Sequence, residues 1–160
     1  MPSFATTDLC DAHGTEVAVL PAIFRDFGGD RTFAGPVETI SVADDNVLVR
    51  QALEEDGAGS VLVVDGGGSL ACALLGDQLA TLALTHGWAG LIVHGCVRDV
   101  ARLVTIPIGM KAIGAHPRRS GKLGGGMRGG PLEIGGVRIA PGMFVYADAD
   151  GIVVSDRPLI

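Results

Sequence analysis

The sequence predicts an α/β fold in a single domain, residues 1–160, with a central parallel-type sheet, crossover helices and β-rich flanks. Short apolar runs alternate with amphipathic segments through the middle of the chain, in the β-α-β-α-β order that builds parallel sheets. The two ends contain extended segments and a two-glycine turn, which are typical of antiparallel strands. Because 48% of the 160 residues are hydrophobic, the chain can bury a substantial core.

The N-terminal part is predicted to contain a short helix followed by two extended segments. Thr7 precedes a helical pattern that Gly14 closes. Gly28-Gly29 supplies the turn between the extended segments. The predicted bounds are 8–13 for the helix, and 22–27 and 33–42 for the extended segments.

Three helices and three buried strands are predicted to alternate in the middle of the chain. Asp44 and Asp45 are typical caps for the first of these helices. The second has leucines that recur on one face, and Gly87 closes it. The predicted bounds are 46–55, 74–86 and 99–104 for the helices, and 61–64, 91–93 and 108–115 for the strands.

The C-terminal part changes to a β pattern. A basic, glycine-rich loop is expected over 116–131, and a hairpin with Gly135-Gly136 at its turn follows it. The hairpin strands are expected at 132–134 and 137–139, and two further strands at 143–147 and 152–155.

The charge of the chain argues against a general nucleic-acid binder. The net charge is −6, whereas such a protein needs a basic surface. Aromatic residues make up 4% of the chain, too few for the stacking platforms that bind single strands. Arg118, Arg119, Lys122 and Arg128 form one basic cluster, which is sufficient for one small anion. We therefore expect a small-molecule substrate and no direct contact with nucleic acid.

Cysteine usage and hydropathy indicate a cytoplasmic protein. The three cysteines are far apart and form no Cys-x-x-Cys pair, which excludes a zinc ribbon or a redox motif of that kind. Residues 1–7 have neither the basic start nor the apolar core of a signal peptide. No apolar run approaches the roughly 20 residues of a membrane helix. The high apolar content also favours burial of surface between subunits.

The most informative feature is the spacing of Asp77 and the pair Arg98-Asp99, which have twenty residues between them. Both segments lie just beyond apolar runs. Neighbouring parallel strand ends can bring the two carboxylates and the guanidinium together. Carboxylate oxygens suit a hard divalent cation, and an Arg fork binds a carboxylate or enolate at two points. This set predicts a site for a divalent cation and an anionic oxo acid. The structural alternative is that Asp99 simply caps the helix that follows it.

Two glycine-rich segments have competing interpretations. The pattern Gly124-x-Gly126-x-x-Gly129 matches a dinucleotide-binding motif, but it lacks a strand before it and a helix after it. A mobile loop over a site is therefore favoured there. Residues 66–69 follow a strand and either contact an anion through backbone N–H groups or form a plain tight turn.

The chain has two lysines, Lys111 and Lys122. A Schiff-base aldolase would need one of them desolvated. Lys111 lies between apolar residues of a predicted strand, where an edge or outward position is expected. Lys122 lies in the basic loop and either pairs with a substrate carboxylate or is solvated.

Six short segments, in order along the chain, resemble one known family. They are 33–36, 65–68, 75–77, 90–95, 97–99 and 148–151. These segments resemble the family that holds the regulator of ribonuclease E activity, protein A, and the 4-hydroxy-4-methyl-2-oxoglutarate aldolases. The resemblance implies a swivelling β/β/α domain and a homotrimer, or a hexamer of paired trimers, with sites near subunit boundaries.

The resemblance also implies a divalent-metal-dependent lyase that acts through a pyruvate enolate. Such an enzyme cleaves 4-hydroxy-4-methyl-2-oxoglutarate to two pyruvates or decarboxylates oxaloacetate. Asp99 is expected to anchor Mg²⁺ or Mn²⁺, Arg98 to bind the enolate oxygen, and Asp77 to position a metal-bound water as the base. The expected site residues are Asp99 for the metal; Arg98, Asp77 and Lys122 for catalysis; and Gly76, Asp77, Gln78, Leu79 and Arg98 for substrate binding.

Arg102 departs from the family pattern, because aldolase members often have an acidic residue at this position. The chain also ends at Ile160 without the longer tail of some aldolases. Both departures favour decarboxylation over full aldolase activity. The alternative function is a protein-binding inhibitor of RNA degradation by a ribonuclease E-type partner, whose basic surfaces suit an acidic chain. A third is an assembly role with a vestigial site.

Overall fold

The structure is a computed structural model that describes residues 3–160. Met1 and Pro2, which begin the segment predicted not to be a signal peptide, lie outside the described residues. The helices are α1 (Thr6–His13), α2 (Val47–Leu53), α3 (Asp77–Thr85) and α4 (Val100–Leu103), with a 3₁₀ turn at Gly14–Glu16. The strands are β1 (Ala18–Val19), β2 (Arg25–Asp26), β3 (Phe33–Ser41), β4 (Val61–Asp65), β5 (Ala73–Leu75), β6 (Gly90–Val97), β7 (Gly109–Ala115), β8 (Met127–Arg128), β9 (Leu132–Ile134), β10 (Val137–Ile139), β11 (Phe144–Asp148) and β12 (Gly151–Ser155).

Ten of the strands form one mixed sheet whose main path is β1-β12-β11-β3-β4-β6-β7-β2. The central strands β3, β4, β6 and β7 are parallel, and β5 adds to β6 in the same direction. Antiparallel strands flank them on both sides, and β9 and β10 form a separate hairpin. The predicted α/β fold, with a parallel centre and β-rich flanks, is confirmed.

The central sheet is buried on both faces. In β4, Leu62 and Val64 pack into the apolar layer that contains α2 and α3, whereas Val61 and Val63 pack into the layer that contains the β9–β10 hairpin. Alternation of side chains along a strand divides them in this way. All four have no exposed surface, as the continuous apolar runs of parallel strands require. The sheet is therefore a rigid support for residues at its carboxyl edge.

The helix predicted from residue 74 begins instead at Asp77, and the residues before it form β5. Leu74 and Leu75 have helical spacing with the later leucines, but both are buried and their strand pairs with β6. Pairing with β6 supplies backbone partners that a helix start would leave unsatisfied. Because β5 pairs with β6, a second strand ends directly beside the end of β6.

Further differences concern three two-residue strands. Only Arg25–Asp26 of the extended segment predicted at 22–27 is a strand, and Ala18–Val19 was not predicted at all. The loop predicted at 116–131 contains Met127–Arg128, which pairs with β3. Strands of this length contain too few side chains for an alternating pattern to be visible in sequence.

Lys111 does not occupy the edge or outward position expected of it. Strand β7 lies between β6 and β2, and the Lys111 residue is only 2% exposed. Its Nζ lies 3.1 Å from Asp26 Oδ1 and donates to the Asp148 carbonyl at 2.5 Å. The ion pair and the carbonyl compensate for burying the ammonium group, which apolar neighbours alone could not do.

None of the helices in residues 3–160 has both the length and the apolar character that a crossing of the lipid bilayer demands.

Candidate active site

The site lies where the parallel strands β5 and β6 end. Leu75 pairs with Val97, and the Arg98 N–H continues the ladder by donating to the Leu75 carbonyl at 3.0 Å. The chain therefore leaves both strands at the same level, with Gly76-Asp77 on one side and Arg98-Asp99 on the other. The juxtaposition predicted from sequence is present, but β5 rather than β4 supplies the first strand end.

Gly76 allows the two segments to approach closely. A Cβ atom on this residue would lie 2.4 Å from Asp99 Oδ2 and 3.1 Å from Arg98 Cγ. The distance to Asp99 Oδ2 is shorter than a van der Waals contact, so a Cβ at this position would force the Asp99 carboxylate to move. Glycine at this position therefore lets the Asp99 carboxylate lie against the backbone that begins α3.

Asp99 does not cap the helix that follows it. It has a left-handed backbone conformation, with φ of 61°, and its side chain makes no capping bond to α4. Its Oδ2 instead accepts a hydrogen bond from the Asp77 N–H at 3.2 Å, at the start of α3. Aspartate tolerates the left-handed region better than most residues. The alternative that Asp99 simply caps α4 is therefore wrong. The Asp99 carboxylate lies in the site instead.

Arg102 forms an ion pair with Asp77. Its Nη1 donates to Asp77 Oδ2 at 3.0 Å. This hydrogen bond lowers the pKa of Asp77 below its ordinary value, and the neighbouring Asp99 side chain lowers it further. A carboxylate held ionised in this way is a weak proton acceptor, so it is better suited to orienting a water or a cation than to taking up a proton itself.

These residues line one cleft of about 370 Å³. All seven residues predicted for the site border it, together with five further polar residues, of which only Arg119 belongs to the basic cluster expected to bind an anion. The predicted ones are Gly76, Asp77, Gln78, Leu79, Arg98, Asp99 and Lys122, and the additional polar ones are Asn46, Arg50, Arg102, Arg119 and Ser120. Their roles remain predictions, but the structure brings all seven together.

Lys122 is held at the cleft by the segment that begins α2. Its Nζ donates to Asn46 Oδ1, and Asn46 Nδ2 donates to the Leu74 carbonyl at 2.8 Å. Burial is the main cause that lowers the pKa of Lys122, and the nearby charges of Arg50 and Arg98 add to it. The lysine is therefore easier to deprotonate than a fully solvated one.

Asp45 fixes the loop that carries Lys122. It is 5% exposed, its Oδ1 accepts from Val47 N–H at 3.0 Å, and its Oδ2 accepts from the N–H groups of Leu123 and Gly124, the latter at 3.1 Å. The hydrogen bond from Val47 N–H contributes most to lowering the pKa of Asp45, and the bonds from Leu123 and Gly124 lower it further. Sequence reasoning interpreted Asp45 only as a helix cap. One signal was present in the sequence: a single acidic residue is enough to cap a helix, so the second of the adjacent pair Asp44-Asp45 was available for another role.

The carboxylates of the cleft fit a partly hydrated Mg²⁺ or Mn²⁺ ion. Asp77 and Asp99 are the only acidic residues that border it within residues 3–160. In the same range, no three His, Cys, Asp or Glu side chains are grouped to hold a metal. Mg²⁺ commonly keeps several waters and is bound through one or two carboxylates and its substrate. The donor set fits that arrangement and not a metal enclosed by protein ligands.

The glycine segment 66–69 forms the plain tight turn. Gly66 and Gly68 N–H donate to the His94 carbonyl, Gly67 N–H donates to Asp65 Oδ1, and Ser69 N–H donates to the Gly66 carbonyl. Because each of these N–H groups has a partner within the protein, the segment offers no anion cradle.

Comparisons with known proteins find similar sequences and structures over nearly the whole chain. A family model described as RraA-like: Aldolase/RraA matches residues 6–154. A protein of Burkholderia mallei strain SAVP1, named "Putative 4-hydroxy-4-methyl-2-oxoglutarate aldolase", is 56% identical over 162 residues and covers 98% of each chain. Sequence identity of this extent over nearly the whole chain indicates the same fold and a common ancestor.

Two solved structures are also similar over nearly their full length. One, from Geobacillus kaustophilus HTA426, is described as "S-adenosylmethionine: 2-dimethylmenaquinone methyltransferase"; it is 52% identical, with a TM-score of 0.95 and coverage of 98% of this chain and 97% of that one. The other is described as the RNA-processing inhibitor RraA from Thermus thermophilis. It is 49% identical, with a TM-score of 0.95 and coverage of 99% and 96%. The chain therefore belongs to the RraA-like family, whose model is described as Aldolase/RraA.

Proposed function

We propose that this protein is a divalent-metal-dependent lyase that cleaves carbon–carbon bonds through a pyruvate enolate. Its substrates are 4-hydroxy-4-methyl-2-oxoglutarate, cleaved to two pyruvates, and oxaloacetate, which loses carbon dioxide. The observation that carries the proposal is the convergence of two carboxylates, Asp77 and Asp99, with Arg98 at the start of α3, in one cleft. The name of the Burkholderia mallei relative supports the aldolase reaction.

Asp99 would hold Mg²⁺ or Mn²⁺, with Asp77 beside it. When bound, such an ion supplies Lewis-acid stabilisation of negative charge on the 2-keto oxygen, which is worth several kcal/mol. The cleft has more cationic than acidic side chains. A divalent cation would therefore bind more favourably together with the anionic substrate, whose negative charge offsets that of the metal and the cationic side chains.

The beginning of α3 and Arg98 bind the oxo-acid end of the substrate. The first N–H groups of a helix have no partners within it, and they attract carboxylates. Of these groups, the Asp77 N–H donates to Asp99 Oδ2 and the Gln78 N–H interacts with the Asp77 carboxylate. The substrate carboxylate would be bound by the N–H of Leu79 and by that of Gln78, which would exchange its contact with Asp77 for one with the substrate. Arg98 adds fixed positive charge at the oxygen where the enolate charge develops.

Aldol cleavage breaks the bond between C3 and C4 of 4-hydroxy-4-methyl-2-oxoglutarate. The C4 hydroxyl loses its proton to a water oriented by Asp77, the C3–C4 bond breaks, and C4 becomes the keto carbon of the first pyruvate. The electron pair of the broken bond forms the enolate of the second pyruvate, whose C3 then takes a proton. Asp77 performs the orienting role because its lowered pKa keeps it ionised.

Oxaloacetate decarboxylation makes fewer demands on the site. The C4 carboxylate leaves as carbon dioxide, and its bonding electrons form the same enolate. No hydroxyl proton has to be removed, so the reaction requires only the carboxylate contacts, Arg98 and the metal.

Pyruvate release from the two substrates, with Mg²⁺ and with EDTA, tests the proposal. We expect turnover only with the metal, and losses of at least about 100-fold in Arg98→Ala and Asp99→Ala. The exposed residues Arg31 and Asp156, changed to alanine, are matched controls. Unchanged turnover in Arg98→Ala or Asp99→Ala would refute the assignment. Turnover that persists in EDTA, with borohydride trapping at Lys122, would indicate a Schiff base instead.

A second candidate function is inhibition of a ribonuclease E-type enzyme by direct protein contact. The relative from Thermus thermophilis, described as an RNA-processing inhibitor, supports it, as does the net charge of −6. Pull-down with the endonuclease and loss of RNA cleavage without added metal are the expected results. A lack of saturable binding would argue against this function.

We also propose that the chain forms homotrimers, or hexamers of paired trimers. Large apolar side chains remain exposed on the protomer, among them Val19 at 53% and Leu70 at 63%. Burial of such side chains between subunits is favourable. Light scattering coupled to size-exclusion chromatography gives the mass directly, and a monomer at micromolar concentration would overturn the proposal.

A further inference from the structure

Arg102 contacts both acidic residues that border the cleft. Its backbone N–H donates to the Asp99 carbonyl at 2.9 Å, and its Nη1 donates to Asp77 Oδ2 at 3.0 Å. Within residues 3–160, no other cationic side chain lies within 4.0 Å of a carboxylate oxygen of either aspartate. One guanidinium is therefore attached to the two residues that we propose for the metal.

The ion pair uses negative charge that a divalent cation would need. The Arg102 side chain and the Gln78 N–H both interact with the Asp77 carboxylate. Asp77 is the main cause that raises the pKa of Arg102, and the charge of Asp99 adds to it. A partly hydrated cation anchored by Asp99 also needs acceptors for its waters, and Asp77 is the other acid beside it. The guanidinium and the cation therefore compete for the same carboxylates.

The charge balance of the cleft favours the guanidinium in this competition. Five cationic side chains and two carboxylates border the cleft, and the cationic ones are Arg50, Arg98, Arg102, Arg119 and Lys122. Of these five, Arg102 has its charge directly at Asp77. Like charges repel more strongly the closer they lie, so a cation that binds beside Asp77 is repelled most by this side chain.

The Arg102 side chain is free to leave Asp77 without disturbing the fold. It is 77% exposed, whereas the neighbouring Leu103 has no exposed surface and packs into the apolar layer that contains α2 and α3. Leu103 therefore holds α4 in place while the arginine side chain moves. An ion pair as exposed as this one contributes little to stability. The contact thus weakens the binding of a cation without preventing it.

We propose that Arg102 competes with the divalent cation for Asp77 and thereby sets the affinity of the protein for that cation. When the metal binds, the guanidinium turns from Asp77 towards solvent. Arg102 is in this sense a positioning residue, because it acts on the metal through Asp77. The inference rests on the proposed function for the place of the metal at Asp99, and it assigns a role to the residue at which the chain departs from the family pattern.

Titration with Mn²⁺ measures this affinity without turnover, because electron paramagnetic resonance detects the unbound ion. We expect Arg102→Gln to bind Mn²⁺ about 3- to 30-fold more tightly than the intact protein, since the cation then has no competitor at Asp77. Arg102→Lys keeps the charge but loses the planar fork, so its affinity should lie between the two. Equal or weaker binding in Arg102→Gln would overturn the inference.

Two further variants separate the contact with Asp77 from a general loss of positive charge. Arg157→Gln breaks an exposed ion pair of 2.7 Å with Glu16, away from the cleft, and should leave Mn²⁺ affinity unchanged. Arg50→Gln removes a charge from the border of the cleft without touching either aspartate, and it should tighten binding less than about twofold. A gain in Arg50→Gln as large as that in Arg102→Gln would refute the specific role of Arg102.

NMR of the Arg102 guanidinium observes the competition directly. Its signals are assigned by their loss in Arg102→Gln. The hydrogen bond to Asp77 hinders rotation about the Nε–Cζ bond, so this rotation should become faster when Mg²⁺ binds. Unchanged rotation despite measured Mg²⁺ binding would overturn the inference and leave the metal-dependent function in place. Absence of Mn²⁺ binding to all of these proteins, with and without pyruvate, would overturn both.

Discussion

The Asp99 carboxylate accepts a hydrogen bond from the Asp77 backbone N–H at 3.2 Å, although the two residues are 22 positions apart in sequence. The contact connects the loop after β6 to the first turn of α3. It also aligns a carboxylate with the N-terminus of a helix, where negative charge is favoured. The same contact orients the residue that we propose as the metal anchor.

Gly76→Ala should displace Asp99 and disable the site with little effect on the fold. The added methyl group would lie 2.4 Å from Asp99 Oδ2, so the carboxylate must move. A displacement of about 1 Å can lower turnover about 100-fold. We expect losses of that order in pyruvate release and weaker Mg²⁺ binding by calorimetry.

Gly125→Ala is the control for this change, since a Cβ there meets no atom within 4 Å. It should retain turnover and Mg²⁺ affinity. If Gly76→Ala also retains both, the close approach has no functional role.

Arg102→Ala should raise the pKa of Asp77. The hydrogen bond from Arg102 is the main cause of its lowered value, so in the intact protein the ionised carboxylate persists until the pH falls through that lowered pKa. Without the arginine, protonation begins at higher pH, and the acidic limb of kcat/KM moves upward. NMR titration of the Asp77 carboxyl carbon measures the shift independently of activity.

Arg102→Lys is the control, because it keeps a positive charge near Asp77. It should shift the titration less than Arg102→Ala does. An identical titration in all three proteins would mean that the ion pair does not set the pKa of Asp77.

Asp45→Ala should release the loop that carries Lys122. The change removes the acceptor of the Leu123 and Gly124 N–H groups, so these amides should exchange with solvent faster. Since Lys122 then loses its fixed position, we expect kcat/KM for the oxo acids to fall about 10- to 100-fold. Hydrogen exchange and kinetics together check both consequences.

Asp44→Asn is the comparison for the loop, because the Asp44 side chain contacts Cys72 and not the loop amides. Amide exchange at residues 123 and 124 should be unchanged there. Slow exchange in Asp45→Ala would show that other contacts hold the loop.

Lys111→Met should lower the free energy of unfolding of the protein and should not act directly on the catalysed reaction. It leaves Asp26 without its buried partner, at a cost of about 3–5 kcal/mol in the free energy of unfolding. Urea unfolding measures the loss. Arg31→Met, which changes an exposed residue outside the site, should alter stability by less than about 0.5 kcal/mol. Equal stabilities of the two variants would contradict the role of the buried ion pair.

The order of the central elements was predictable because their signals are long. The apolar run of β4 and the leucine repeat of α3 each exceed one full structural period. The start of α3 was predicted three residues early, since Leu74 and Leu75 fit a helical repeat and a buried strand equally well. Only pairing with β6 distinguishes these alternatives.

The positions of Asp77, Arg98 and Asp99 at neighbouring strand ends followed from spacing and apolar runs, because a parallel sheet brings successive strand ends to one edge. The side-chain partners of those residues could not be predicted from the sequence. Arg102 pairs with Asp77 across two helices, a contact that depends on how the helix starts are oriented.

By itself, the sequence determined the fold class, the edge of the sheet at which chemistry is placed, and the residue types available there. Only the tertiary structure decided that Lys111 is buried in an ion pair, that Asp45 holds a loop 78 positions away, and that Arg50 and Arg119 border the same cleft. The physical reason is the distance along the chain over which each kind of interaction acts. Side-chain periodicity and turn chemistry act over a few residues, whereas the pairing of buried charges and the shape of a cleft depend on segments brought together only when the whole sheet has formed.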